Sequence, residues 1–515
     1  MSKYSSLTFW LPKIPLLALI GTFLLPLALM QIHYQTGLFF IALYISYWSV
    51  KVFESYYYVL KSYVRLLQLE KKDWNKDIIV SKGAKNLRHI IIVPIYTEPY
   101  NVIEENIIAL RETAYPYREN ITILLATEAR AIDGTRHAER IIREYGEGDM
   151  EIINIVHPSD IEGEGRVKGA NITYAIRQYE KMCQEPGFHI LNDRESRFLH
   201  TQEGDKPRVS LDPNNTFVST IDTDTKVEKN FFMIVTESFL STDMRDHAIY
   251  QYTPIYSNNW REGHFFARII GIGTTMWQFF ESQNPEFYRN FAVYGQSLSC
   301  LHRANYWSLT SIVEDGMQYW RSYFGWDGVF RIVHTPAICE MDLVDEKNLY
   351  RTIRSQYKQL RRWSWGCSDI EYILPEFVKN KKIPTIEKIR KTTYLIYNHL
   401  FWAGGPFMLF FIGYVPSIFT SIDHSLATFT VPIVSSIIFT VLFATIIIPS
   451  ILSIHIMRRY THFTRLDYVW NMIQWIVVPL LTLTLFSIPA IESQIRLFFG
   501  KRIDTFDTTE KMERK

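Results

Sequence analysis

The 515 residues are 47% hydrophobic and 15% aromatic, too apolar for a disordered chain and enough to fill a large core spread over two or three domains. Lys and Arg number 55 against 53 Asp and Glu, a formal charge of +2, so no bulk electrostatic field favours nucleic acid and no nucleic-acid partner is expected. Cys183, Cys300, Cys339 and Cys367 stand far apart, with no CxxC pair and no histidine at zinc-ligand spacing, which excludes a disulfide framework and argues for single thiols in a reducing compartment.

Charge is absent in blocks. Residues 14–50, 392–422, 424–457 and 468–491 contain no Asp, Glu, Lys or Arg. Each block is long enough to cross a bilayer, which takes about 20 apolar residues per helix. The first has a polar centre, Gln31-Ile-His33-Tyr-Gln35-Thr36-Gly37, and reads as two spans joined by a tight turn, giving five spans in all. A cleaved signal peptide is the alternative for the first span, but a second span follows at once and no small-residue cleavage site separates them.

Between the membrane blocks the sequence becomes that of a soluble domain. His89-Ile-Ile-Ile-Val93-Pro94 predicts a buried parallel strand, followed by a helix over 102–113, a strand over 121–126 and a helix over 134–144. Further apolar runs at 151–156 and 216–221 extend an α/β sheet. Ligands of such sheets bind at the carboxyl ends of the strands. There stand Thr97 and Glu98 after the first strand, Glu128 and Asp133 after the second, and Asp222-Thr223-Asp224 after the fourth. Asp222 and Asp224, one residue apart at a strand end, suit a hard cation such as Mg2+ or Mn2+ on a diphosphate; an acidic pair on a solvated loop is the alternative.

Further on, Gly163-Glu-Gly-Arg166-Val-Lys168-Gly-Ala-Asn171 leads into a helix with basic side chains and free amides suited to a phosphate. Glu314-Asp315 offers a base for a sugar hydroxyl, or else an acidic pair favoured by a helix start. Gln359-Leu-Arg361-Arg362-Trp363 combines an amide, guanidinium groups and an indole. It suits a pyrophosphate and a stacked sugar, and equally an interfacial helix on lipid head groups. The aromatic stretch 256–286 fits either an amphipathic interface helix or a buried one.

In this order the pieces resemble the membrane-bound members of glycosyltransferase family 2, which include cellulose, chitin and hyaluronan synthases. The resemblance runs from His89 to Trp365. Val93-Pro-Ile-Tyr-Thr97-Glu98-Pro is similar to the family's opening strand and loop, Asp222-Thr-Asp224 to its DxD, Glu314-Asp315 to the ED of its base motif, and Gln359-Leu-Arg361-Arg362-Trp363 to its QxxRW. It departs in having Thr127-Glu128-Ala-Arg130 where the family has an aspartate pair, and Val313 where it often has Thr.

The resemblance implies a GT-A-like Rossmann-type cytoplasmic domain inserted between transmembrane α-helices. It implies an inverting transfer in which Asp315, with Glu314, is the catalytic base and Asp222 and Asp224 hold Mg2+ or Mn2+. Donor contacts would come from Thr97, Glu98, Glu128, Lys168, Asp222, Gln359, Arg362 and Trp363. The partners implied are a nucleotide-sugar (a UDP-sugar first), a growing polysaccharide or a lipid-linked acceptor, the bilayer, and an export subunit. Alternatives are transfer of a single sugar, or a non-catalytic nucleotide-sugar binder or transporter. The spans, however, carry almost none of the midplane polar groups transporters use.

Basic residues precede the first span, follow the second and precede the third, while the loops at 31–36 and 416–424 have none. By the positive-inside rule the N-terminus and the central segment are cytoplasmic, in a multi-pass protein of the plasma membrane. The expected organisation is a transmembrane hairpin over 1–60, the catalytic domain with interface helices over 61–375, transmembrane helices over 376–498 and a tail over 499–515. A fifth full crossing would put Arg496, Lys501 and Arg502 outside. Pro479 and Pro489 offer the alternative of a segment that dips in and returns.

Overall fold

The computed structural model describes residues 9–74, 76, 78, 81, 83–184, 211–346, 348–419 and 426–503. They form two compact units, one from 9–65, 259–283 and the described residues of 348–503, the other from the described residues of 66–258 and 284–346.

The first unit is helical. Ile14–Ile32 (α1) and Tyr34–Leu69 (α2) are separated by His33 alone, which is extended at φ −154°. The turn is therefore tighter than the polar centre of the block suggests. His33 O accepts from the amides of Thr36 and Gly37, and a Cβ on Gly37 would lie 2.1 Å from Met30 Cγ, so the close approach of the two helices requires glycine there. α2 runs far beyond the apolar block, with Lys51 and Glu54 paired at 2.6 Å where the charged part begins.

Among the described residues, five helical stretches are long and apolar enough to cross a membrane: Leu11–Ile32, Tyr34–Leu69, Thr385–Ile418, Phe429–Met457 and Arg465–Phe498. Met30, Leu38, Ile41, Met408 and Ile412 cluster at the end of this unit near the α1–α2 turn, with Val431 and Ile438 against them. At the opposite end the Tyr63 hydroxyl donates to His455 O at 3.1 Å, and Arg261 lies 3.9 Å from Asp467.

The last stretch starts at that opposite end and returns to it. It is helical over Arg465–Ile473, tightens into a 3-10 turn at Gln474–Val477, returns to α geometry at Val478–Leu481, widens into a π-helical turn at Thr482–Ser487 and is α-helical again at Ile488–Phe498. Ser487 reaches Trp402 O at 3.2 Å and Ala490 packs with Leu19 and Ala403. Gln494 then donates to His399 O at 3.0 Å, and the Phe498 ring stands 5.3 Å from Lys13 Nζ. Among the described residues the cluster near the α1–α2 turn includes none from this stretch.

The second unit is a mixed α/β fold around an eight-stranded sheet of order β3-β2-β1-β4-β7-β6-β8-β5. The strands are β1 (Arg88–Pro94), β2 (Ile121–Glu128), β3 (Glu151–His157), β4 (Thr216–Thr220), β5 (Lys226–Val227), β6 (Ala248–Ile255), β7 (Tyr294–Ser297) and β8 (Arg331–Glu340). β3, β2, β1 and β4 are all parallel neighbours. Helices Tyr100–Arg111 (α3), Ile132–Tyr145 (α4) and Lys168–Gln184 (α5) connect them. Because β2 and β3 lie to one side of β1 and β4 to the other, the chain reverses between β1 and β4, and a crevice opens at their carboxyl ends. Beyond β4 the pairing turns antiparallel at β7, where a Cβ on Gly295 would sit 2.3 Å from the Phe217 ring.

One buried acid in this unit has a measurable consequence. Glu228, just after β5, accepts from the Ile338 amide at 2.7 Å. Burial pushes its carboxyl up to about 7 against the opposing pull of that amide, with the charges of Glu70 and Glu340 adding to the rise. A raised pKa means the fold favours the protonated acid, so this contribution is intact below the ordinary glutamate range and is lost as pH rises through 7. The cost above that point is on the order of 3 kcal/mol. Glu228→Gln, which keeps the acceptor, is therefore expected to raise the melting temperature by several degrees at pH 8.5 and to leave it unchanged at pH 4.5; equal shifts at both pH values would sink this assignment.

Candidate active site

The DxD segment lies in the crevice as a pinned turn. Thr223 Oγ1 donates to Pro94 O at 2.6 Å, tying it to the end of β1, and Asn106 on α3 donates to the carbonyls of Asp222 and Thr225 at 3.3 and 2.7 Å. Asp224 is buried, its Oδ2 accepting from the Asp342 amide at 3.3 Å and its carbonyl accepting from Asn258 at 2.7 Å. Asp222 stays partly open, with Oδ1 2.6 Å from Lys168 Nζ. The same ammonium lies 3.5 Å from Glu314 Oε1.

Lys168 is the first residue of α5, and what lets it reach Glu314 is Gly169. A Cβ there would fall 2.2 Å from Ser308 O and 3.1 Å from Glu314 Cβ, so only glycine allows the start of α5 to abut the loop before Glu314–Gly325 (α6). Burial alone would lower the Lys168 pKa, but the carboxylates of Asp222, Glu314 and Asp315 outweigh it and hold the ammonium above its ordinary value. It is a fixed positive charge at neutral pH.

Asp315 is oriented by backbone. Its Oδ1 accepts from the Gly316 amide at 2.7 Å and its Oδ2 from the Ala292 amide at 3.0 Å, and Ala292 has a left-handed φ of 52°. Asn290 donates to the Asp315 carbonyl at 2.9 Å. The buried Tyr256 hydroxyl is pushed above its usual range by burial and then by Asp224, Asp222 and Asp315, so these three carboxylates share one neighbourhood. Lys168, Asp222, Glu314 and Asp315 thus come together. Asn106, Asn290, Asp342 and Tyr256 hold or border them without any signal in the sequence. Among the described residues no three His, Cys, Asp or Glu side chains form a metal cage.

Glu128 and Glu98 are arranged differently. Glu128 is engaged by Arg130 at one wall of a cavity of about 250 Å3, also lined by His157, Glu164, Arg166 and Asn171. His157 Nε2 and Glu164 Oε2 are 2.8 Å apart. Asn171 donates to Ala126 O at 2.7 Å and leaves its own carbonyl oxygen without a partner. Glu98 turns back onto its loop, accepting from the Tyr96 amide at 2.6 Å, while Thr97 is exposed.

Gln359, Arg362 and Trp363 belong to the helical unit, on Leu349–Ser364 (α7). Gln359 accepts from Gln356 at 2.9 Å. Arg361, in the same motif, is committed elsewhere: it donates to Glu492 at 3.0 Å, and Tyr357 and Arg496 bind that glutamate at 2.5 and 2.6 Å. Glu492 is the first charge after the last apolar block, a position that gave no hint of its partner.

No family model matches the chain, and no curated protein matches it. Among solved structures it is similar to the mannosyltransferase PcManGT from Pyrobaculum calidifontis, in complex with GDP-Man and Mn2+. The alignment is 12% identical and covers 89% of this chain and 100% of that chain, with a TM-score of 0.44. A likeness this slight carries no conclusion about function.

Proposed function

We propose that the chain is a membrane-integrated inverting glycosyltransferase, similar to family 2, that moves a sugar from a nucleotide-sugar onto an acceptor at the cytoplasmic face. The observation that carries this reading is the largely shielded Lys168 between Asp222 and Glu314, beside Asp315, at the crevice between β1 and β4. A cation and paired carboxylates at that position fit the diphosphate and the attacking hydroxyl of such a transfer.

Asp315 takes the proton from the acceptor hydroxyl, its orientation set by the amides of Gly316 and Ala292. Asp222 and Asp224 would hold Mg2+ or Mn2+. Two protein carboxylates, with no cluster of three His, Cys, Asp or Glu among the described residues, fit a cation bound chiefly through its substrate's phosphates. The ion supplies neutralisation of charge on the departing nucleotide. Lys168 places a second positive charge against the same phosphates. The cavity beside Glu128 takes the nucleoside, and Gln359, Arg362 and Trp363 act on the pyrophosphate and acceptor.

The acceptor in the leading reading is a growing polysaccharide. Single transfer to a lipid-linked acceptor is favoured by one observation, the last apolar stretch starting and ending at the same end of the helical unit. It then dips in and returns, leaving four crossings, few for a polymer channel. A cysteine placed after Arg502 should be labelled from the cytoplasmic side, as the N-terminus is; labelling from outside would restore a fifth crossing. For the activity, purified protein would be incubated with a panel of UDP- and GDP-sugars, with Mg2+, Mn2+ or EDTA, and nucleoside diphosphate release measured. Release with one donor, lost in EDTA, is expected, and the polymer length of the product separates the two acceptors. Silence from folded protein given both acceptor classes would sink the enzyme reading.

A further inference from the structure

Where α1 begins and Ile488–Phe498 (α8) ends, the helical unit encloses a space of about 440 Å3 that the proposed transfer does not use. Its walls include Phe9, Lys13, Glu371, Phe498, Phe499 and Arg502. Gly500, with φ +68°, ends the helix, and Lys501 donates its amide to Arg496 O at 2.8 Å. The chain then turns back so that Arg502 donates to both oxygens of Glu371 at 2.9 Å. Lys13 Nζ rests 3.8 Å from the Phe9 ring centroid and 5.3 Å from that of Phe498, and among the described residues it has no carboxylate partner. The pocket therefore holds two cations against one carboxylate, and that carboxylate is already taken by Arg502.

The walls narrow the ligand further. Pro12 lines the pocket just before α1, and Leu497 lines it at the end of α8, so it opens where two apolar stretches meet their flanking basic residues. Basic pockets at that boundary select anionic lipid head groups, while aromatic rings accommodate the glycerol and upper acyl region. A freely dissolved anion would need the cations but not the aromatic walls.

We propose that this pocket binds the head-group phosphate of an anionic phospholipid, between Lys13 and Arg502. The proposal rests on the chain being membrane-embedded and is independent of the assignment of its chemistry.

The test uses the full-length protein in nanodiscs of phosphatidylcholine alone or with one-fifth phosphatidylglycerol, the bound lipid being counted by native mass spectrometry. Wild type is expected to retain phosphatidylglycerol over phosphatidylcholine. Lys13→Ala with Arg502→Ala should lose about tenfold or more of that preference, since each basic group contributes on the order of 1 kcal/mol. Lys381→Ala, an exposed lysine outside the pocket, should keep it. Equal retention of both lipids, an unchanged preference in the double variant, or displacement of the lipid by millimolar inorganic phosphate would each overturn the proposal. Resistance of the same proteins to carbonate extraction reads membrane embedding separately, so a lost preference in a protein still embedded condemns the pocket alone.

Discussion

Asp315→Asn is expected to reduce kcat for sugar transfer by about 10²–10⁴-fold, the range a positioned general base contributes. The substitution preserves shape, and the donor KM should stay close to wild type because the binding groups are other residues. Both Asp315 oxygens accept from backbone amides, those of Gly316 and Ala292. An asparagine can satisfy one of them through its carbonyl and must turn its NH2 toward the other. The structural penalty is the loss of one charge-assisted hydrogen bond, about 1–3 kcal/mol. A melting curve beside the kinetics separates the two effects. A fall in kcat of a hundredfold or more in a protein that still melts cooperatively identifies the base. Activity within a few-fold of wild type would remove Asp315 from that role and leave its two amide contacts as a helix-start anchor.

The half of the sheet that carries this chemistry was legible because β1, β2 and β4 are parallel neighbours with buried centres, and β1 and β2 carry nearly continuous apolar runs followed by polar residues. The other half was not. β7 is only four residues long, and its place beside β4 depends on the absence of a side chain at Gly295, a tertiary condition. β8 contains His334 and Pro336 and pairs with β6 across a register shift at Gln251 and Thr253, which breaks the alternation a strand would otherwise display.

The site divides in the same way. Asp222 and Asp224 announce themselves because they end a buried strand. The meeting of Lys168 with Glu314 joins residues far apart in sequence, and it turns on Gly169, which gave only a glycine-rich helix start. Glu128 is the last residue of β2 rather than the loop residue after it, and its partner is its own near neighbour Arg130, which no strand-end rule anticipates. The five apolar stretches were legible from charge alone. For the last one the sequence left a fifth crossing and a returning segment open, and the contacts of Ser487, Gln494 and Phe498 favour the return.

Lys168→Met should be the most destabilising single change at the site. The ammonium is the cation shared by Asp222 and Glu314, and its side chain and that of Glu314 are only 11% and 7% exposed. Removing one partner of a buried ionic group leaves an uncompensated charge, at a cost of about 3–5 kcal/mol. The lower end applies here because the Asp222 side chain is 33% exposed and water relieves part of the penalty. The pH dependence distinguishes this loss from a packing defect. In the wild type the Lys168 pKa is raised, so its stabilising contribution is complete below the ordinary lysine range and declines only as pH climbs above it. Between pH 5 and 8 Lys168 therefore adds no slope to wild-type stability. In the variant the stranded carboxylates favour their protonated forms in the fold, so the deficit relative to wild type should shrink as pH falls from 8 to 5. A deficit constant across that range, measured by denaturant melts of the two proteins, would mean that Lys168 acts through volume rather than charge. In that case its place against the donor phosphates would lose its support as well.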